Sequence, residues 1–208
     1  MRKAYIADGE CVREPRIFTQ TALAIMLAFG IFEECEREKA LKQLVELIHE
    51  KDDHFDTGVL GGRVLYRVLF NNGYEELAYK LITQKTHPSY AKMASYGTGT
   101  LWEEFLDLDE QTKTPKGGRG FGSLNHHFWG DISAVFYRDI AGIRINPALE
   151  DPHLIEIRPR FIKALDFAKA RVPYMGGVVS VEWKRVGGKI TVDVSAPSGC
   201  KVVKRYEE

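Results

Sequence analysis

The hydrophobic period of this chain changes after Asn146-Pro147, and that change constrains the fold more than any other feature of the sequence. Upstream, apolar residues recur at helical spacing. From Phe18 to Phe32 nearly every residue is apolar, which predicts a helix buried all round, with Gly30 as its stop. Between Glu36 and Glu50, Leu41, Leu44, Val45 and Ile48 fall at i, i+3, i+4, i+7, so that helix keeps one wet face. Arg63 to Phe70 is again apolar-rich and runs into Asn71-Asn72-Gly73, and Glu75 to Gln84 carries the stripe Leu77, Ala78, Leu81, Ile82. Buried and amphipathic helices in alternation predict two layers of a toroidal array rather than a compact bundle.

Downstream, the period is two. Val179, Val181 and Trp183 alternate with Ser180, Glu182 and Lys184; Gly187-Gly188 signals a tight hairpin; Ile190, Val192 and Val194 alternate after it. Leu154, Ile155, Ile157 and the segment from Lys201 to Tyr206 read as further strands. The expected fold is therefore mainly α followed by β, with residues 1–147 helical and residues 148–208 a small antiparallel β domain. Trp129 to Ile143 is expected to be the last helix of the first part.

Charge and cysteine content narrow the function. Twenty-nine basic and twenty-nine acidic residues cancel, so no broad attraction to nucleic acid or to an anionic membrane follows. A neutral substrate fits better. Cys11, Cys35 and Cys200 are widely separated and form no CxxC pair or His/Cys cluster, so reduced thiols and no metal are expected. The polar stretch after Met1 offers no export signal, and the longest apolar run, Ala22 to Ile31, is about half of a membrane span.

Chemistry concentrates where the helical pattern breaks, between Ser95 and Asn125. In Gly97-Thr98-Gly99-Thr100-Leu101-Trp102-Glu103-Glu104, small residues precede an indole and two acids. Sugars are often held this way, with the apolar face of the ring on an aromatic side chain and carboxylates at its hydroxyls or at the glycosidic centre. On pattern alone, Trp102 could equally be a core residue and the two acids solvated loop residues. Asn125-His126-His127 stands where the loop returns to a helix, a common place for binding residues and equally for a helix cap. Thr57-Gly58 and Gly61-Gly62 shape another loop, or simply a turn before a helix. A calcium loop beginning at Asp107 fails, because Pro115 and Gly118 occupy ligand positions, and Gly118 to Gly122 lacks the strand and spacing of a dinucleotide fingerprint.

Several short segments, taken in order, resemble the inverting bacterial α-L-rhamnosidases of glycoside hydrolase family 78. They include Thr19-Gln20-Thr21-Ala22-Leu23-Ala24, Thr57-Gly58-Val59-Leu60-Gly61, Asn72-Gly73-Tyr74, Thr100-Leu101-Trp102-Glu103 and Ser123-Leu124-Asn125-His126, followed by Tyr137-Arg138, Ile157-Arg158-Pro159 and Val181-Glu182-Trp183. The resemblance implies the C-terminal portion of an (α/α)6 catalytic barrel and a C-terminal β-sandwich. It also implies that Glu103 is the general base, that His126 contacts sugar hydroxyls, and that Trp102, Thr57 and Asn125 border the substrate, a terminal α-L-rhamnoside, with no cofactor.

The family's general acid lies in an acidic, arginine-containing stretch followed by Trp, which this sequence lacks, and its helices are too few for a closed ring. The expected partner is thus a missing N-terminal barrel portion or a second copy, with no nucleic acid or membrane involved. The competing expectation is a non-catalytic carbohydrate-binding remnant or an inactive truncated product.

Overall fold

The computed structural model describes residues 19–118, 120–146 and 151–206, and the backbone of 6–7 and 10–11. The chain forms two compact units, Met1–Asp131 and Ile132–Glu208.

The first unit is a partial α/α toroid of layered helices preceded by a two-stranded antiparallel hairpin, β1 (Ile6–Ala7) and β2 (Glu10–Cys11), a pairing the sequence pattern does not announce. Helix α1 (Gln20–Ala28) begins at Thr19, whose hydroxyl accepts the Ala22 N–H, and buries Leu23, Ala24 and Leu27. It is not buried all round. Phe29 and Ile31, past its last turn, stand 68% and 47% exposed, because Gly30 at φ 66° turns the chain outward. Phe18 lies outside the described residues.

Gln20 is buried but satisfied: its amide nitrogen donates to the carbonyls of Leu47 and His54, and its oxygen accepts from the Asp56 N–H at 2.7 Å. That side chain ties α1 to the end of α2 (Glu34–His49), which opens on a Glu33–Glu36 capping box and buries Ala40, Leu44, Val45 and Ile48.

Helix α3 (Val59–Asn71) starts before its apolar run, and its first turn carries Gly61 and Gly62. A Cβ on Gly61 would lie 2.7 Å from Thr21 Oγ1, and one on Gly62 would lie 2.4 Å from the Trp129 ring. The glycine pair is therefore a packing device, letting α3 approach α1 and receive an indole, and not a turn before a helix. Helices α4 (Glu75–Thr83) and α5 (Tyr90–Ser95) follow; α5 is capped by Ser89, whose hydroxyl accepts the Lys92 N–H.

The second unit opens with a helical segment of changing pitch: an α turn over Ile132–Val135, then a π turn over Phe136–Ile140. The single helix expected from Trp129 to Ile143 is thus split, with a 3-10 turn over His127–Asp131 belonging to the first unit. Two three-stranded sheets follow. One has the order β3 (Ile143–Ile145), β4 (Leu154–Ile157), β8 (Lys201–Lys204); the other runs β5 (Phe167–Tyr174), β6 (Gly177–Val186), β7 (Lys189–Ser195).

The alternation in β6 is the one read from the sequence: Val179, Val181 and Trp183 are fully buried, and Gly187 and Gly188, at φ 57° and 81°, make the two-residue turn to β7. The first sheet is mixed, because β4 pairs β8 in parallel, Ile155 opposite Val202.

A buried ion cluster joins the π turn to the strands. Asp139 is fully buried and takes two guanidiniums, Arg138 at 2.6 Å and Arg144 at 2.8 Å, while Trp183 Nε1 donates to the Ile140 carbonyl at 2.9 Å. Gly142 completes the join at φ 87°, where an added Cβ would lie 2.2 Å from the Pro159 nitrogen. Gly142→Ala is expected to cost about 2–3 kcal/mol, through a disfavoured backbone and a clash with main chain that has no rotamer to yield. Chemical denaturation of the two proteins measures it.

Candidate active site

The glycine-rich segment and the Asn-His segment are paired side by side. The Glu103 N–H donates to the Ser123 carbonyl at 2.8 Å, the His126 N–H to the Leu101 carbonyl at 2.7 Å, and the Thr100 hydroxyl to the Leu124 carbonyl. Residues 100–103 and 123–126 thus form one short, doubled edge, although about twenty residues of loop separate them. The loop is closed at its base by Asp107 and Lys116, 2.7 Å apart, and the Lys116 ammonium holds the Asp107 carboxyl below its ordinary range.

Glu103 is exposed, yet its backbone is held on both sides. Besides the bond to Ser123, its carbonyl accepts the Trp129 indole N–H at 2.9 Å. Its carboxylate takes the Ser123 N–H at 3.2 Å, and a Cβ on Gly122 would lie 3.2 Å from the same oxygen. One carboxylate oxygen is therefore oriented by the facing segment, which is bare of side chain at that point.

Trp102, placed against a sugar by the sequence reading, has 1% of its surface exposed. Its ring stacks on Tyr96 at 5.3 Å with 8° between planes, its N–H donates to the Thr98 hydroxyl at 2.9 Å, and Met93, Leu106 and Leu108 enclose it. Trp102 is thus a core residue of the first unit.

His126 is half-buried, with its ring 4.3 Å from and nearly perpendicular to that of Phe128. Asn125 is exposed, its N–H facing the Ser123 hydroxyl at 3.4 Å. Thr57 enters from another segment, half-buried, and its hydroxyl oxygen is buried without a hydrogen-bond partner among the described residues. The pairing thus brings Glu103, Asn125 and His126 onto one short stretch, while Thr57 comes from the approach to α3.

Trp129 is the residue the sequence reading passed over, taking it only as the start of a helix. Its ring lies 4.8 Å from Phe105 and 6.0 Å from Phe55, near perpendicular to Tyr90, with Gly62 against its edge. Burial raises the Tyr90 hydroxyl pKa above its ordinary range, and the negative charge of Asp131 adds to the shift, so this aromatic nest stays neutral. The Gly61-Gly62 pair was the available signal, because two glycines on the first turn of a helix announce a close neighbour.

No group of His, Cys, Asp and Glu among the described residues could hold a metal ion, and no helix among them is long and apolar enough to cross a membrane. Cys35 and Cys200 are free thiols.

Comparison with known proteins agrees with this architecture. Residues 2–140 match the bacterial alpha-L-rhamnosidase 6 hairpin glycosidase domain, and residues 153–203 match the bacterial alpha-L-rhamnosidase C-terminal domain. The chain is 33% identical over 180 residues to an alpha-L-rhamnosidase of Alteromonas sp. (strain LOR), an alignment covering 86% of this chain and 19% of that protein. Among solved structures, the Streptomyces avermitilis alpha-L-rhamnosidase complexed with L-rhamnose is 30% identical with a TM-score of 0.83, over 97% of this chain and 19% of that one. The alpha-L-rhamnosidase from Dictyoglumus thermophilum is 31% identical with a TM-score of 0.82, over 97% and 22%. The chain therefore spans roughly a fifth of the length of the relatives it matches. It belongs to the bacterial α-L-rhamnosidase six-hairpin glycosidase family.

Proposed function

We propose that this chain supplies the base-bearing C-terminal portion of an inverting glycoside hydrolase that cleaves terminal α-L-rhamnosides, with residues 1–147 as its part of the barrel and residues 148–208 as the closing sandwich. The observation that carries the reading is the state of Glu103: an exposed carboxylate on a backbone tied to Ser123 and Trp129, set against the segment that bears His126.

In this mechanism Glu103 takes a proton from a water that attacks the anomeric carbon on the face opposite the leaving oxygen. A protonated carboxylic acid, held roughly 6.5–9.5 Å away to admit that water, gives its proton to the departing alcohol. The acid comes from polypeptide other than these 208 residues. His126 and Asn125 meet sugar hydroxyls, Thr57, whose hydroxyl oxygen is buried, contributes through the shape of its segment, and Trp102 contributes as a core residue next to Glu103 in the chain rather than by touching the ring. The same additional polypeptide, or a second copy, covers the exposed apolar side chains of the helical unit, Phe29, Ile31 and Leu60.

The test is complementation. This chain, mixed with an acid-bearing barrel segment of a relative, is assayed for release of an aryl alcohol from its α-L-rhamnoside, and the anomer of the released sugar is read by NMR. Glu103→Gln is expected to lower the rate by about 10²–10⁴-fold, the usual cost of losing a general base. A glutamine variant as active as the parent would remove Glu103 from the mechanism. Rhamnose binding without hydrolysis in every mixture would leave only a sugar-binding module.

A further inference from the structure

One exposed ring beside the candidate site has no part in the hydrolytic reading. Phe128 is 46% exposed, on the 3-10 turn over His127–Asp131. Its place is fixed on both sides along the chain. The His126 N–H is bound to the Leu101 carbonyl at 2.7 Å, and the Trp129 indole N–H to the Glu103 carbonyl at 2.9 Å. Both ties run to residues 101–103, so the turn that carries Phe128 is moored to the stretch that bears the carboxylate.

The phenyl ring is covered from one direction. Its centroid lies 4.3 Å from that of His126 and 4.8 Å from that of His127, nearly perpendicular to each, and the two imidazoles are stacked 5.7 Å apart. Those three separations put both imidazoles within a right angle as seen from the phenyl, on the same side of it. Its exposed surface therefore lies on the other side. The Phe128 N–H also donates to His126 Nδ1 at 3.4 Å, which leaves Nε2 as the protonated nitrogen of the neutral imidazole, the one able to donate to a sugar oxygen. A donor and an apolar surface thus stand side by side.

We infer that Phe128 is a specificity-determining residue of this site, taking the methyl group on C5 of the terminal rhamnose. The inference rests on the reading of His126 as a ligand of sugar hydroxyls. A pyranose with its substituents is wider than the 4.3 Å between the His126 and Phe128 rings, so a sugar with one oxygen on the imidazole is large enough to cover the phenyl with its own atoms. Rhamnose differs from mannose of the same hand only in carrying a methyl where mannose carries a hydroxymethyl group. A methyl laid on the phenyl removes apolar area of both from water. A hydroxyl laid there gives up water and finds no comparable partner.

The experiment is an amide-resolved NMR titration of the 208-residue chain with methyl α-L-rhamnoside and methyl α-L-mannoside, which differ only in the hydroxyl on C6. The rhamnoside is expected to shift the amides of Ser123, His126 and Phe128 and to bind about tenfold more tightly than the mannoside. Phe128→Ala is expected to bring the two affinities within about twofold, with the rest of the spectrum in place because the side chain stands largely in water. Phe128→Leu, which keeps an apolar group, is expected to retain part of the preference. Equal affinities in the parent chain, or a preference that survives Phe128→Ala, would overturn the role of Phe128 while both sugars still report on His126. No shift at His126 or Phe128 with either sugar would overturn both assignments. The base is read separately, from hydrolysis lost in Glu103→Gln.

Discussion

Asp139→Asn is expected to destabilise the second unit by ~3–5 kcal/mol, enough to unfold much of it under conditions in which the parent chain is intact. Asp139 has no exposed surface, and its carboxylate takes Arg138 through Nε and Nη2 and Arg144 through Nη2. An asparagine keeps the volume but removes the charge shared by two partly buried guanidiniums, with Glu156, 4.0 Å from Arg144, as an acid that remains beside them. The Asp139 carbonyl also accepts the Arg160 N–H at 3.0 Å, so the strain reaches the segment after β4. Urea denaturation followed by the fluorescence of Trp183, fully buried in this unit, measures the loss. A midpoint within error of the parent would mean that the cluster carries no net stability.

Trp129→Ala is expected to be comparably damaging to the first unit, at about 3–5 kcal/mol, because it empties the centre of an aromatic nest formed by Phe55, Tyr90 and Phe105. Gly62 adds nothing to fill the void, having no side chain where the indole edge now rests. Trp129→Phe separates packing from hydrogen bonding. It keeps most of the apolar volume but leaves the Glu103 carbonyl without its indole donor, for a cost of about 1 kcal/mol. Amide exchange at Glu103 and Ser123 should quicken in the phenylalanine variant while the midpoint of global unfolding moves little. A phenylalanine variant as destabilised as the alanine one would show that the hydrogen bond, and not the packing, dominates.

These two sites differ in how far they could be read in advance. Near Asp139, the strands of the second unit were visible because their cause is local: Val179, Val181 and Trp183 on one face, and a Gly-Gly pair at the turn, are written within about ten residues. The ion cluster was not visible. Nothing in Tyr137-Arg138-Asp139 says that Asp139 faces inward, and a π turn with its shifted register puts it there.

Near Trp129, the helices of the first unit were legible from their stripes, but the close approach of α3 to α1 and to the indole depends on elements dozens of residues apart. The same is true of the parallel pairing of β4 with β8, where Leu154 stands opposite Lys201.

The candidate site divides along the same line. Residue type and order point to the segments 97–104 and 125–127, and the resemblance to the family is what picks Glu103 and His126 out of them. Which way each side chain points is another matter. Trp102 turns inward and Glu103 outward because residues 100–103 lie against 123–126, and that pairing fixes alternate sides of an extended segment to core and solvent. Composition and period therefore determined the class of fold and the order of its main elements, which depend on neighbours along the chain, and the short list of candidate groups came from the resemblance of ordered short segments. The tertiary structure alone decided which of those groups reach water, because burial is set by contacts between segments far apart in sequence.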